Sequence, residues 1–115
     1  MADQFYSNRK MTFVWDEDKF NINLRKHKIS FYEAAAVFDD PQRVEIPDLE
    51  HSDEEERYIT IGLVHDILYV VYCDRDNPET GDTDTRLISA RKAKGWEIAL
   101  YNDNIQGRYI VSETR

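Results

Sequence analysis

The stretch TRLISARKAKGWEIALY, residues 85–101, decides the fold because its hydrophobic period changes in the middle. In extended geometry successive side chains point to opposite faces, so the first part predicts a strand with Arg86 on one face and Arg91 on the other. From residue 92 onward the apolar residues, Trp96 among them, recur at helical spacing. The stretch therefore predicts a strand that leads directly into a helix.

Cations collect at this strand-to-helix junction, which contains Arg91, Lys92 and Lys94. Positive charge at a helix start is unfavourable against the helix dipole, so another use, such as binding an anionic ligand, has to be considered. Glu97 and Tyr101 lie four residues apart on one stripe of the predicted helix, where they can support the sheet and the arginines. The junction is therefore the first candidate for a functional site.

The chain is acidic, but its charge is unevenly distributed. Its 115 residues include 23 acids and 15 Lys or Arg residues, for a net charge of −8. Residues 39–56 hold nine acids and one arginine, which equals the whole imbalance, and residues 74–84 hold five acids and one arginine. An acidic net charge argues against nucleic-acid binding. The distribution changes that conclusion, because the rest of the chain is mildly basic.

Length and composition indicate one soluble domain in a reducing compartment. A chain of 115 residues is long enough to bury one core. The only cysteine, Cys73, lies in the apolar run ILYVVYC and is expected to be a buried, inert thiol. Residues 1–10 lack the apolar stretch of a secretory signal, and no apolar run is long enough to span a bilayer. We expect a cytoplasmic protein without membrane association.

The order of predicted elements gives the fold class. A short strand precedes a helix capped by Asp16, and the S-x-x-E spacing of Ser30 and Glu33 predicts a capping box on a second helix. Further strands follow, with residues 74–84 expected to form a mobile loop. We predict an α+β domain with a mainly antiparallel sheet of about five strands, two N-terminal helices and one C-terminal helix.

The predicted domain spans residues 11–102. Residues 1–10 are interpreted as an N-terminal extension, and residues 103–115 as a C-terminal tail with either an edge strand at 108–111 or no order.

Three ordered sequence blocks resemble one known family. They read FVWDEDKFNINLRKHKISFYEAAAVFDDP, EEERYITIG and RLISARKAKGWEIALY, and they cover most of residues 11–102. The chain resembles the BrnT toxins, the toxin half of bacterial type II toxin–antitoxin pairs. The resemblance implies a RelE-like fold and a small ribonuclease that inhibits translation. It also implies inhibition by a BrnA-like antitoxin with a ribbon-helix-helix portion, and contact with operator DNA only through that complex.

Metal-independent RNA cleavage needs a base for the 2′-hydroxyl, charge stabilisation on the phosphate and a proton for the leaving oxygen. Arg57 and Arg91 are expected to stabilise the phosphate, since a guanidinium presents a planar fork to its oxygens. His27 titrates near neutral pH and is the candidate base, with Lys26 beside it. These four form the predicted catalytic group. The predicted RNA-binding cations are Lys19, Arg86, Lys92 and Lys94.

Each of these candidates has a structural alternative. Arg57 can form a salt bridge with a neighbouring acid such as Glu55. His27 can close the first helix as a C-terminal cation, and Lys26 can simply be solvated. Trp15 and Trp96 are assigned to the core, with base stacking as their less favoured role.

No cofactor or metal site is predicted. The acidic clusters lack the spacing of a calcium loop, and His51 and His65 lack partners at ligand spacing. The acidic loops are either a solvated surface or a docking site for a basic part of the antitoxin. A competing function is a non-catalytic interaction module that binds an antitoxin and modulates operator DNA binding.

Overall fold

The structure is a computed structural model that describes residues 3–8, 11–51 and 55–107. The strands are β1 (Asp3–Asn8), β2 (Met11–Asp16), β3 (Val44–Pro47), β4 (Tyr58–Leu63), β5 (Ile67–Asp76) and β6 (Thr83–Lys92). The helices are α1 (Glu17–His27), α2 (Phe31–Val37) and α3 (Gly95–Ile105), with a short 3-10 helix at Leu49–His51. All six strands form one sheet in the order β1-β2-β6-β5-β4-β3.

The α+β class and the three helices are confirmed, but the sheet differs from the prediction in two ways. It has six strands instead of about five, because β1 pairs with β2 along its whole length. It is mixed, since β2 runs parallel to β6 while the other four pairings are antiparallel. The parallel pairing follows from the long crossover through α1, α2 and the strands β3 to β5.

The segment expected to be a mobile loop, residues 74–84, is a turn at residues 77–82, with strand at both of its ends. β5 extends to Asp76 and β6 begins at Thr83, where these two residues face each other across the ladder. A tight turn joins the strands, with the Gly81 N–H donating to the Asn77 carbonyl at 2.8 Å and Gly81 at φ 78°. Composition alone was misleading, because acidic residues are tolerated at the exposed positions of a twisted hairpin end.

The predicted helix caps are present. The Asp16 carboxylate accepts the Lys19 N–H at 3.1 Å at the start of α1. Ser30 Oγ accepts the Glu33 N–H at 3.1 Å while Glu33 Oε1 accepts the Ser30 N–H at 2.9 Å, a complete capping box. At the other end of the domain α3 continues to Ile105, beyond the boundary expected at residue 102. The edge strand considered for residues 108–111 lies outside the described residues.

Helices cover both faces of the sheet. α1 and α2 lie on one face, over a core that includes Phe13, Trp15 and Phe31. α3 lies on the other face across β3 and β4, over a second cluster that includes Ile61 and Tyr101. No helix in the described ranges is long and apolar enough to cross a membrane.

The two tryptophans have opposite environments. Trp15 is 2% exposed, as predicted, whereas Trp96 is 59% exposed and its assignment to the core is wrong. The residues that α3 buries instead are Glu97 and Tyr101. These polar side chains can be buried because each makes a hydrogen bond to another side chain of the domain.

Candidate functional site

A β-bulge interrupts the regular alternation of β6. Tyr72 of β5 pairs with Leu87, but the preceding residue Val71 pairs with Ser89, so Ile88 is an extra residue in β6. One extra residue reverses which face each later side chain of a strand points to. The faces predicted from simple alternation are therefore wrong beyond residue 88.

The bulge places Arg86 and Arg91 on the same face of the sheet. Arg86 pairs with Cys73 and Arg91 with Tyr69, two residues that lie four apart on β5 and so share a face. Arg57, just before β4, belongs with them, since its charge and that of Arg86 both act on the Cys73 thiol. We call the sheet surface that carries Arg57, Arg86 and Arg91 the arginine face. It is also the face on which α3 lies.

The three arginines do not form one cluster. Arg57 and Arg86 lie on either side of Cys73, whereas Arg91 lies beside Tyr69, about 13 Å further along β5 at 3.3 Å per residue. Cys73 itself is buried, as predicted, and burial raises the pKa of its thiol. The arginine face therefore offers two separate positive positions.

Arg91 is held rigidly by Glu97. Its Nη1 and Nη2 donate to the two Glu97 carboxylate oxygens at 2.9 and 2.8 Å, and the guanidinium lies 3.9 Å from the centre of the Tyr69 ring. Glu97 is 1% exposed and also accepts the Lys94 N–H at 2.6 Å. Burial disfavours its charged form, but the hydrogen bonds from Arg91 and Lys94 hold the pKa of Glu97 below its usual range. Arg91 is thus fixed in place and its charge is compensated.

The other two arginines have weaker, more exposed carboxylate partners. Arg86 donates to Asp3 of β1 at 3.2 Å, and Arg75 lies 3.6 Å from the same oxygen. The Glu55 salt bridge considered for Arg57 is present at 3.9 Å, with more than half of the Glu55 side chain exposed. Exposed ion pairs contribute little free energy, so a phosphate can replace these carboxylates more readily than it can replace Glu97.

Asn23 attaches α1 to the sheet beside Arg91. Its side-chain amide donates to the Ala90 carbonyl at 2.8 Å and accepts the Ala90 N–H at 3.0 Å, and it also donates to the Ile29 carbonyl at 3.0 Å. Asn23 therefore makes the two backbone hydrogen bonds that a neighbouring strand would make at this part of β6. His27 lies four residues further along the same face of α1. The Asn23 contact holds the end of α1 at the edge of β6, close enough for the Arg91 charge to act on His27. A buried asparagine among helix polar residues was not recognised from the sequence.

His27 is surrounded by positive charge. Its partial burial, followed by the charges of Lys26, Arg91 and Lys94, lowers the pKa of its imidazole below 6.5. The neutral ring can accept a proton at neutral pH. His27 is also the last residue of α1, so the alternative in which it closes the helix fits the structure as well.

The remaining predicted cations are dispersed. Lys26 and Lys94 lie close enough to His27 to influence it. Lys19 is exposed in the first turn of α1, about 12 Å from His27 at 1.5 Å per residue. Lys92 lies 3.5 Å from Asp66 in the β4–β5 turn.

Tyr101 is directed away from the arginines. Its hydroxyl donates to Asp40 at 2.5 Å, at the end of α3 that lies over β3 and β4. Asp40 also accepts the Leu63 and Gln42 N–H groups. Tyr101 thus holds the helix onto the sheet.

One group of side chains among the described residues could hold a metal ion. Ligand atoms of Asp48, Glu50 and His51 lie within 4.8 Å of one another. The expectation that His51 lacks partners at ligand spacing is therefore wrong, since its Nδ1 lies 3.1 Å from Asp48. Glu50 and His51 are exposed, and exposed acidic groups are common without an ion, so we assign no metal site here.

A comparison with known protein families identifies the family of this chain. Residues 15–97 match the family model described as "Ribonuclease toxin, BrnT, of type II toxin-antitoxin system". The chain belongs to the BrnT family. The matched range contains the whole arginine face, whereas β1 with Asp3 lies outside it. Membership in BrnT makes this a toxin of a type II pair, with an antitoxin partner and an RNA target. A search of curated proteins finds no match to the chain.

Proposed function

We propose that this BrnT toxin is an endoribonuclease that cleaves RNA without a metal ion and thereby inhibits translation. The observation that carries the proposal is the arginine face, on which three guanidinium groups project from one side of a rigid sheet. Phosphate contacts by such cations supply most of the affinity of proteins for nucleic acid. An RNA strand lying along β5 and β6 would meet both positive positions.

The geometry suggests a division of roles. Arg57 and Arg86 have partly exposed carboxylate partners and bind phosphate oxygens, whereas Arg91 is fixed by Glu97 and presents a positive edge near His27. Neutral His27 takes the proton of the 2′-hydroxyl as that oxygen attacks phosphorus, and the P–O bond to the 5′-oxygen breaks. Lys26 and Lys94 supply charge, and a proton for the leaving oxygen, at the same place.

The remaining parts of the proposal rest on family membership. The toxin acts in the cytoplasm and is inhibited by a BrnA-like ribbon-helix-helix antitoxin, and it meets operator DNA only within that complex. The match supports a toxin with an antitoxin in general, and these finer assignments are ours.

Cleavage of an end-labelled single-stranded RNA pool by the purified chain tests the proposal. Arg57→Ala and Arg86→Ala should each lower kcat/KM about 10-fold, mainly through KM, because each removes a charged hydrogen bond to a phosphate that contributes about 1.5 kcal/mol. Arg25→Ala is the matched control, since Arg25 is an exposed arginine of α1 outside the arginine face. Activity should persist in EDTA. Thermal unfolding of each variant confirms that it is folded.

Two results would contradict the proposal. Loss of cleavage in EDTA, restored by a divalent ion, would refute the metal-free mechanism. Absence of cleavage by the intact chain, even with ribosomes supplied, together with normal antitoxin binding, would favour a non-catalytic interaction module.

A further inference from the structure

Trp96 is a large aromatic side chain left in solvent at the first turn of α3. It is 59% exposed, although tryptophan is among the most buried residues on average. Lys94 lies two residues before it in the chain, and the next residue, Glu97, is the carboxylate that holds Arg91. An exposed tryptophan at the Arg91 end of the arginine face provides a surface on which a ligand can bind.

Helix geometry shows which way Trp96 points. Ile98, on the same helix, lines a cleft of about 330 Å³ with Leu63 and Ile67 at the β4–β5 turn. At 100° per residue, Trp96 lies about 200° around α3 from Ile98. It is therefore on the side of α3 opposite this cleft.

The backbone that carries Trp96 is fixed. Glu97 accepts the Lys94 N–H at 2.6 Å and binds Arg91 through both oxygens. The first turn of α3 is thus joined to β6 through one buried carboxylate. A platform that is already ordered loses little entropy when a planar ligand binds to it.

The positive charge near Trp96 indicates which kind of ligand can bind there. Lys94 lies two residues before Trp96, and Glu97, the residue after it, binds Arg91. The charges of Lys94 and Arg91 also act on His27. A flat aromatic surface flanked by cations matches a single-stranded nucleic acid, in which a base stacks and the adjoining phosphate is neutralised. An apolar protein patch would instead have to desolvate these charges.

We propose that Trp96 stacks on an unpaired RNA base next to the phosphate held at the Arg91 end of the arginine face. The inference rests on the proposed function and adds a substrate requirement, namely that the RNA is single-stranded at this position. It also gives Trp96 a part in base preference, because stacking strength differs among bases.

Fluorescence tests the proposal without cleavage. The chain has two tryptophans, and Trp15 is 2% exposed, so quenching by a 2′-O-methyl oligoribonucleotide, which lacks the free 2′-hydroxyl, should come from Trp96. Trp96→Leu should abolish the quenching and weaken binding, measured by anisotropy of a labelled oligonucleotide, roughly 5- to 150-fold. Trp96→Phe should retain most of the affinity, since it keeps an aromatic ring.

Tyr32→Leu is the matched control, because it removes an exposed aromatic ring from α2 on the other side of the sheet. It should leave RNA affinity unchanged. Unchanged RNA affinity in Trp96→Leu, or an equal loss of affinity for duplex RNA, would overturn the stacking proposal. So would loss of antitoxin binding alone, which would make Trp96 a protein contact. If the intact chain cleaves RNA in any of these cases, the proposed function stands; if it neither binds nor cleaves RNA, both proposals fail.

Discussion

At the scale of single residues, the carboxylate partner decides what each arginine can do. Arg91 has a buried, bidentate partner in Glu97, and breaking such a pair leaves an uncompensated buried charge. Arg86 and Arg57 have partners that remain partly in water. Three residues of one type on one surface thus include one structural anchor and two arginines to which we assign phosphate contacts.

His27 should titrate below pH 6.5. Burial, then Lys26, Arg91 and Lys94, all disfavour its protonated form. The native state therefore binds fewer protons than the unfolded state just below pH 6.5, so the contribution of His27 to stability rises with pH there and falls on acidification. NMR titration of the imidazole should give a pKa below that of the urea-unfolded chain, and the acid limb of cleavage should follow it.

The Lys26→Gln substitution tests whether neighbouring positive charge, and not burial alone, lowers the pKa of His27. It should raise the pKa of His27, whereas Lys19→Gln, the same charge change about 12 Å away on α1, should raise it less. If the acid limb of the pH–rate profile of cleavage does not shift with the pKa of His27, then His27 is not the general base.

At the scale of secondary structure, local signals predict elements better than they predict faces. The caps at Asp16 and Ser30 are hydrogen bonds between residues three apart in the sequence, so a local motif predicts them. Both are present. The bulge at Ile88 is not readable in the same way, because it depends on how β6 pairs with β5. That single extra residue moves Arg91 to the face of Arg86, and so creates the candidate site.

The burial pattern of α3 shows a second limit of sequence patterns. Hydrophobicity favours Trp96 for the core, but Glu97 is buried because Arg91 compensates its charge from a different element. Asn23 is comparable, since it is buried only because the Ala90 backbone needs a partner where β2 has ended. Both depend on tertiary pairing, which residue types alone do not specify.

The attachment of α3 through Tyr101 gives a stability prediction. Tyr101→Phe removes a hydrogen bond to the Asp40 carboxylate and should lower the free energy of unfolding by about 1.5–3 kcal/mol at pH 7. Although burial alone would raise it, the hydrogen bonds from Tyr101, Leu63 and Gln42 hold the pKa of Asp40 below its usual range. Stability from this group is present above pH 3.8 and is lost as pH falls through the native pKa.

Urea unfolding at pH 7 and pH 3 measures this effect. The difference between Tyr101→Phe and the parent chain should be smaller at pH 3, because stability from the Asp40 carboxylate is lost progressively below pH 3.8. Tyr32→Phe is the control, because its exposed hydroxyl can be removed while its ring contacts remain. A difference in unfolding free energy that is equal at both pH values would show that Tyr101 acts through packing and not through the carboxylate.

At the scale of the whole molecule, part of the acidic charge lies on the sheet face opposite the arginine face. Glu45, Asp74 and Asp76 lie close together, and burial followed by the other two carboxylates raises the pKa of Asp74. Asp74 alternates with Cys73 and so projects from the face opposite Arg86. An RNA strand on the arginine face would therefore not meet Asp74, and the carboxylates it would meet include Asp3 and Glu55, the partners of Arg86 and Arg57.

The small number of cations assigned to phosphate contacts predicts a shallow salt dependence of RNA binding. For single strands the slope of log K against log salt is about −0.7 per neutralised phosphate, so contacts at Arg57, Arg86 and Lys94 should give about −2. Arg86→Ala should flatten the slope by about 0.7, and Arg25→Ala should leave it unchanged. Anisotropy titrations with a 2′-O-methyl oligonucleotide over a range of salt concentrations measure it. A slope near zero would mean that phosphates do not touch the arginine face, and a slope twice as steep would require cations elsewhere on the chain.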